Sequence, residues 1–271
     1  MPLRKQPVPT AKPRRKAARV RPGATLVEPL TAEAVPTAPA RAPGPRPPEP
    51  VDAAAVAEIF RRFRELDPDP RGELDFINPY TLLVAVVLSA QATDRSVNLA
   101  TRPLFALADT PEKMLALGET TVREYIRTIG LFNTKARNVI ALSAILEREH
   151  GGVVPRERAI MQALPGVGRK TASVVANIAF GEPAIAVDTH IFRVSNRIPL
   201  VVAATPDRVQ DGLERIVPDE FRLGAHHWLI LHGRYVCKAR KPECWRCPIR
   251  DLCRYEPKTP AAPRGVEAAP A

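Results

Sequence analysis

Two groups of residues in this 271-residue chain have the types and spacing for chemistry. The first is Lys170 with Asp188. Lys170 follows the run Leu164-Pro-Gly-Val-Gly-Arg169, and Asp188 opens Asp188-Thr-His190 eighteen residues later. Pro165, Gly166 and Gly168 fit poorly inside a helix, whereas Lys170 to Phe180 is a small-residue apolar run that stops before Gly181. The segment from Arg156 to Ala163 also reads as helical. The pattern therefore predicts a helix, a tight hairpin of Gly166, Val167 and Gly168, and a second helix, together spanning 156–180. Unpaired N–H groups and the positive end of the second helix suit this hairpin to a phosphate. The same dipole, with desolvation in a cleft, favours the neutral amine of Lys170 and so makes it a nucleophile. Asp188 emerges from the apolar run Ala184-Ile-Ala-Val187 and offers a carboxylate for proton transfer or for stabilising positive charge. A nucleotide-hydrolase phosphate loop fails on spacing, because Arg169 interrupts the Gly-Lys-Thr run that such a loop requires.

The second group is the set of cysteines, all four in one window as Cys237, Cys244, Cys247 and Cys253. The chain shows no apolar secretory signal, which argues against two disulfides and for a metal centre. Structural zinc usually arranges cysteines as two close pairs. Here only Cys244 and Cys247 form one, a spacing that a four-thiolate iron-sulfur cluster tolerates better, with zinc as the alternative. Either metal would pin the loop bearing Lys238, Arg240 and Lys241, three cations suited to backbone phosphates.

The elements that must position these groups read as helices, so the fold class is all-α. The most apolar segment, Leu82 to Ala90, is half the length of a membrane span and is followed by Asp94 and Arg95, which makes it a buried core helix. Asn78 as N-cap with Pro79 behind it marks the start, and Thr110-Pro111 and Thr205-Pro206 repeat the device. Further helices are predicted over 95–107, 111–117, 121–128, 134–150, 189–197, 206–216 and 222–235.

The net charge of +11 points to a polyanionic partner. Residues 1–50 carry ten Lys/Arg against three Glu, so the remainder is only mildly basic. That segment also holds thirteen of the thirty prolines and few large apolar residues, which predicts a disordered basic tail. Its cluster Arg14-Arg-Lys-Ala-Ala-Arg19 would add salt-dependent affinity for DNA or act only as a solvated tail. Residues 259–271 read as a second loose end. No transit helix is evident, so a cytoplasmic, nucleoid-associated protein is expected, with organelle import left open.

Taken together the chain resembles the endonuclease III family of helix-hairpin-helix, iron-sulfur DNA glycosylases. The resemblance runs from about Val56 to Tyr255 and rests on Leu88-Ser-Ala-Gln-Ala-Thr-Asp94, Ile129-Gly-Leu-Phe-Asn-Thr-Lys-Ala136, the 164–172 hairpin, Val187 to His190, His227-Trp-Leu-Ile-Leu-His-Gly-Arg234 and the cysteine spacing. It implies two helical lobes with a DNA-binding cleft between them, a six-helix barrel over 75–182 and a cluster lobe of 51–74 with 183–258. It implies a [4Fe-4S] cluster on the four cysteines, damaged double-stranded DNA as partner, no membrane, and a monomer. It further implies that Lys170 attacks C1' of an oxidised or saturated pyrimidine nucleotide, that a Schiff base and β-elimination follow, and that Asp188 assists. Gln91 and Leu131 would fill the hole left by the extruded base, and His190 would lie beside the hairpin and the DNA backbone. His226, His227 and His232 lack acidic or thiol partners at helical spacing and read as structural. Two rival readings are an adenine-removing mismatch glycosylase, which lacks the hairpin lysine and carries an extra C-terminal domain, and a non-catalytic DNA-binding module built on the same hairpin.

Overall fold

The computed structural model describes residues 49–260. Among these there are ten α-helices, one short 3-10 helix and no strand. Nearly all of the basic segment expected to be a tail, and the end of the chain from 261, lie outside the described residues.

The helices start where short polar side chains can take over orphan N–H groups. Helix α1 (Ala53–Leu66) is capped by Asp52. Helix α2 (Pro79–Leu88) carries a full capping box of Asn78 and Thr81. Thr93 caps α3 (Asp94–Leu107) and Thr110 caps α4 (Pro111–Tyr125). The two helices predicted over 111–117 and 121–128 are merged into α4 across a break at Gly118, whose φ of 74° leaves the helical region. Helix α5 (Phe132–His150) runs on to Gly151 in the left-handed conformation. The predicted helix over 156–163 is a single turn, α6 (Arg158–Gln162), which has no side-chain cap. Then come α7 (Arg169–Phe180), α8 (Thr189–Arg197), α9 (Pro206–Ile216) and α10 (Asp219–Tyr235).

Burial divides the described residues into two apolar cores. The first gathers α2 to α7 around Leu82, Leu83, Leu88, Met114, Leu142 and Val175. Helix α2 is buried from Tyr80 to Leu88, because it packs on α3, α5 and α7 and has no solvent side left. Each such Leu or Val contributes about 1.5–3 kcal/mol on leaving water. The second core joins α1 to α8, α9 and α10. Phe60, Phe63, Phe221 and Trp228 meet there with neighbouring ring centroids 6.0–6.4 Å apart. Trp228 Nε1 donates to Asp67 O at 2.8 Å, which fastens α10 to the end of α1.

Two segments pass between the cores. Residues 67–77 lead from α1 to α2, and the non-helical run 181–188 leads from α7 to α8. In the second crossing Ile185 and Val187 enter one core while Ala186 enters the other. The alternation of an extended chain thus serves both sides at once. Polar ties brace the same seam: Gln210 Nε2 on α9 donates to Ser173 Oγ on α7 at 3.1 Å, and Arg169 pairs with Asp211.

Candidate active site

The hairpin between α6 and α7 closes by Val167 N–H donating to Leu164 O at 3.1 Å. Gly166 has φ 79°, and a Cβ there would stand 2.8 Å from Asn138 Nδ2 on α5, so both conformation and space demand glycine. Gly168 is required for neither reason. Its φ of −93° is ordinary and a Cβ would meet nothing within 4 Å. What glycine achieves there is a bare helix start: α7 has no side-chain cap, and the N–H groups of Arg169, Lys170 and Thr171 have no partner among the described residues. Val167 is buried between the two glycines and anchors the turn. The guanidinium of Arg169 points to Asp207 and Asp211 of α9, so this cation of the motif braces the fold.

Lys170 is exposed in the first turn of α7. Asp188 is the N-cap of α8, its Oδ1 accepting from Ile191 N–H at 2.8 Å. One carboxylate oxygen is thereby fixed. The other has no hydrogen-bond partner among the described residues. Both side chains line a single cleft of about 840 Å³ that also takes in Ser89, Asp94, His226 and Arg234. They share a neighbour in His226, whose ring is buried with Nδ1 2.8 Å from Ala186 O. Burial first, and then the charges of His227 and Lys170, push that ring down to about 3 against the pull of Ala186 O and Asp188. It is a neutral floor beneath the lysine and the aspartate.

Arg234 and Asp94 line the same cleft, although spacing alone did not single them out. Arg234 Nη1 lies 2.8 Å from Asp94 and 2.6 Å from Glu73. Burial opposes its charge, but Asp94, Glu73 and Asp188 outweigh burial and hold the guanidinium above its ordinary range. The signal available in the sequence was one charge at each of two helix ends, Asp94 at the start of α3 and Arg234 near the end of α10. Their meeting in space was not.

Gln91 and Leu131 lie on neighbouring turns. Helix α2 ends at Leu88, so Gln91 sits beyond the helix rather than at its end, with φ 56°. Leu131 precedes α5 with φ 61° and is 61% exposed. These are the two non-glycine residues with positive φ among the described residues, a conformation that costs side chains about 1–3 kcal/mol each. His190 is half-buried in the first turn of α8, where its Nδ1 accepts from Arg193 Nη2 at 3.3 Å.

The cysteine loop follows α10. Arg193 donates to Gly233 O and Cys237 O, and Arg197 to Lys238 O and Ala239 O, so α8 grips the start of the loop. Arg62 binds Pro248 O and Asp251 from the side of α1. Burial pushes the Cys247 thiol up to about 12, and the other three sulfurs add to that rise, which places all four in one neighbourhood. A bound metal reverses the effect by taking the thiolate. No three His, Cys, Asp or Glu side chains among the described residues are grouped tightly enough for one ion. Four thiolates in one neighbourhood are the donor set that an iron-sulfur cluster takes. Thr259, expected in the loose end, accepts from Cys244 N–H at 3.0 Å and belongs to the loop's packing. Of the three loop cations, Lys238 is paired with Glu243 at 2.5 Å, while Arg240 and Lys241 are exposed without an acidic partner among the described residues.

Comparison with known proteins bears on each part. Residues 84–219 match the HhH-GPD superfamily of base excision DNA repair proteins, and residues 237–253 match the iron-sulfur binding domain of endonuclease III. The chain is 56% identical over 208 residues to endonuclease III of Escherichia coli K12, a match covering 77% of this chain and 99% of that one. It is 55% identical over 205 residues to endonuclease III of Rickettsia conorii, covering 76% and 98%. A solved structure of a trapped endonuclease III-DNA covalent intermediate is similar at 43% identity and a TM-score of 0.71, over 75% of this chain and 96% of that one. The 237–253 segment carries a [4Fe-4S] cluster.

Two outcomes are expected. Purified protein should be yellow-brown with about four iron and four labile sulfide per chain, and Cys247→Ser should lower both; one zinc per chain would refute the cluster. His226 is neutral in the folded protein, whereas an unfolded chain protonates it below its ordinary 6.5. Its contribution to stability is therefore complete above pH 6.5 and is lost as pH falls toward about 3. Urea titrations should show stability falling across that window and a shallower fall in His226→Gln; equal slopes would contradict it.

Proposed function

The chain belongs to the endonuclease III family of base excision DNA repair glycosylases, and from that premise we propose that it is bifunctional: it removes oxidised or saturated pyrimidines from duplex DNA and then cuts the abasic strand. The observation that carries the reading is the convergence of Lys170 and Asp188, each in the first turn or cap of its own helix, on one cleft beside Arg234 and Asp94.

The extruded nucleotide enters the cleft, and its flanking phosphate meets the bare N–H groups of the hairpin formed by Gly166, Val167 and Gly168. DNA covers the exposed Lys170, whose nitrogen is the nucleophile. Its nitrogen forms a bond to C1' as the bond from C1' to the base breaks, and the base leaves with that electron pair. Proton loss from nitrogen and opening of the sugar ring give a Schiff base. Loss of a C2' proton then expels the phosphate at C3', which cuts the strand on the 3' side. Asp188, held by Ile191 N–H, turns its second oxygen to the positive charge that builds on the sugar. The Asp94 and Arg234 pair offers an acceptor and donors to the polar edge of a damaged base. Gln91 and Leu131 fill the vacated stack, and His190 lies beside the hairpin and the DNA backbone.

Cys237, Cys244, Cys247 and Cys253 would hold the cluster, which fixes the loop of Lys238, Arg240 and Lys241; no chemical step passes through it. The last two cations reach phosphates directly, and Lys238 does so only as part of its pair with Glu243. All of these residues come from one chain, so a monomer suffices. No helix among the described residues is long and apolar enough to cross a membrane.

Incubation with abasic-site duplex and borohydride should trap a covalent adduct that is absent in Lys170→Ala. Asp188→Asn should slow base excision by about 10²–10³-fold. If wild-type protein yields no adduct, the lyase reading is wrong.

A further inference from the structure

Lys135 is the one buried lysine among the described residues, and it has no carboxylate beside it. Its ammonium instead donates to Leu88 O at 3.0 Å and Ala90 O at 2.7 Å, the carbonyls where α2 runs out. Burial lowers its pKa, so the fold bears a cost to keep a cation there. The end of α2 gives something in return, since free carbonyls and the negative end of the helix dipole favour a positive charge. Were that capping all it did, a C-terminal glycine or a surface cation would serve.

Its position shows a second consequence. Lys135 stands in the first turn of α5, and its own N–H donates to Leu131 O at 3.0 Å. Its Nζ meanwhile holds the carbonyl immediately before Gln91. One side chain thereby joins the turn bearing Gln91 to the turn bearing Leu131, the two places where a non-glycine residue has positive φ. The turns also touch: a Cβ on Gly130 would lie 3.9 Å from Gln91 O. One turn further along α5, Asn138 abuts Gly166 of the hairpin. Strained conformations persist only when their surroundings over-determine them.

We propose that Lys135 is a positioning residue for base extrusion, clamping the Gln91 and Leu131 turns into one rigid wedge. It touches neither DNA nor the reacting atoms. The inference rests on the assignment of Gln91 and Leu131 to the vacated stack. It requires that Lys135 matter where a base must be forced out of a duplex, and not where the sugar is already accessible.

The test uses the full chain with its cluster. Single-turnover excision of an oxidised pyrimidine from duplex is measured beside cleavage of a single-stranded abasic-site oligonucleotide, which has no stack to fill. Lys135→Met should lower duplex excision by about tenfold or more and leave single-stranded cleavage at the wild-type rate. Lys135→Gln, whose amide can still donate to one carbonyl, should fall between, and it decides by the same criteria if the methionine variant does not fold. Leu131→Ala, run alongside, should lose duplex excision. Wild-type duplex excision by Lys135→Met while Leu131→Ala is impaired would overturn the clamp and leave the wedge standing. An equal loss in both assays would make Lys135 a residue of general stability and overturn it too. Unimpaired duplex excision by Leu131→Ala would remove the wedge and the clamp together.

Discussion

The arrangement of the site depends on the extended crossing that ends at Asp188. Ile185 and Val187 are buried in one core and Ala186 in the other, so the segment cannot slide without expelling side chains from both. That fixes the start of α8 at the seam. The Asp188 cap then sets the direction in which a carboxylate faces the first turn of α7. A shift of one residue would exchange the two faces and turn the carboxylate away from the cleft.

Around this seam the protein uses main-chain ends as chemical groups. The uncapped start of α7 leaves N–H donors for an anion, the capped start of α8 orients a carboxylate, and the open end of α2 receives the Lys135 ammonium. Each is a helix terminus left incomplete or completed by one side chain. Such sites are rigid because the helices behind them are buried, which suits chemistry requiring reacting groups in fixed positions. His226 adds a neutral ring below the pair, so the floor of the cleft holds no competing cation.

The cluster loop stands apart from this chemistry but not from the frame that holds it. Arg193 and Arg197 extend from the helix that Asp188 caps and bind carbonyls at the start of the loop, while Arg62 reaches its other end from α1. Metal binding is thus tied mechanically to the helix that Asp188 caps. Arg240 and Lys241 are carried on the same frame, free of acidic partners.

Local rules carried much of this protein. Caps at Asn78, Thr110 and Thr205, the hairpin around Gly166 and the cysteine spacing were legible because each depends on residues a few positions apart. The motifs of Lys170 and Asp188 are local as well, and the fold brings both side chains to one cleft. Helix ends were less legible: α6 is one turn where eight residues read as helical, since packing rather than propensity sets how much of such a segment holds. Tertiary structure alone decided that Arg234 would meet Asp94 and Glu73, that Arg169 would serve α9, and that a lysine in a helical run would cap another helix. Those contacts join residues 40 or more positions apart, and pairing over such distances follows from how two cores close on each other, which no short-range pattern encodes.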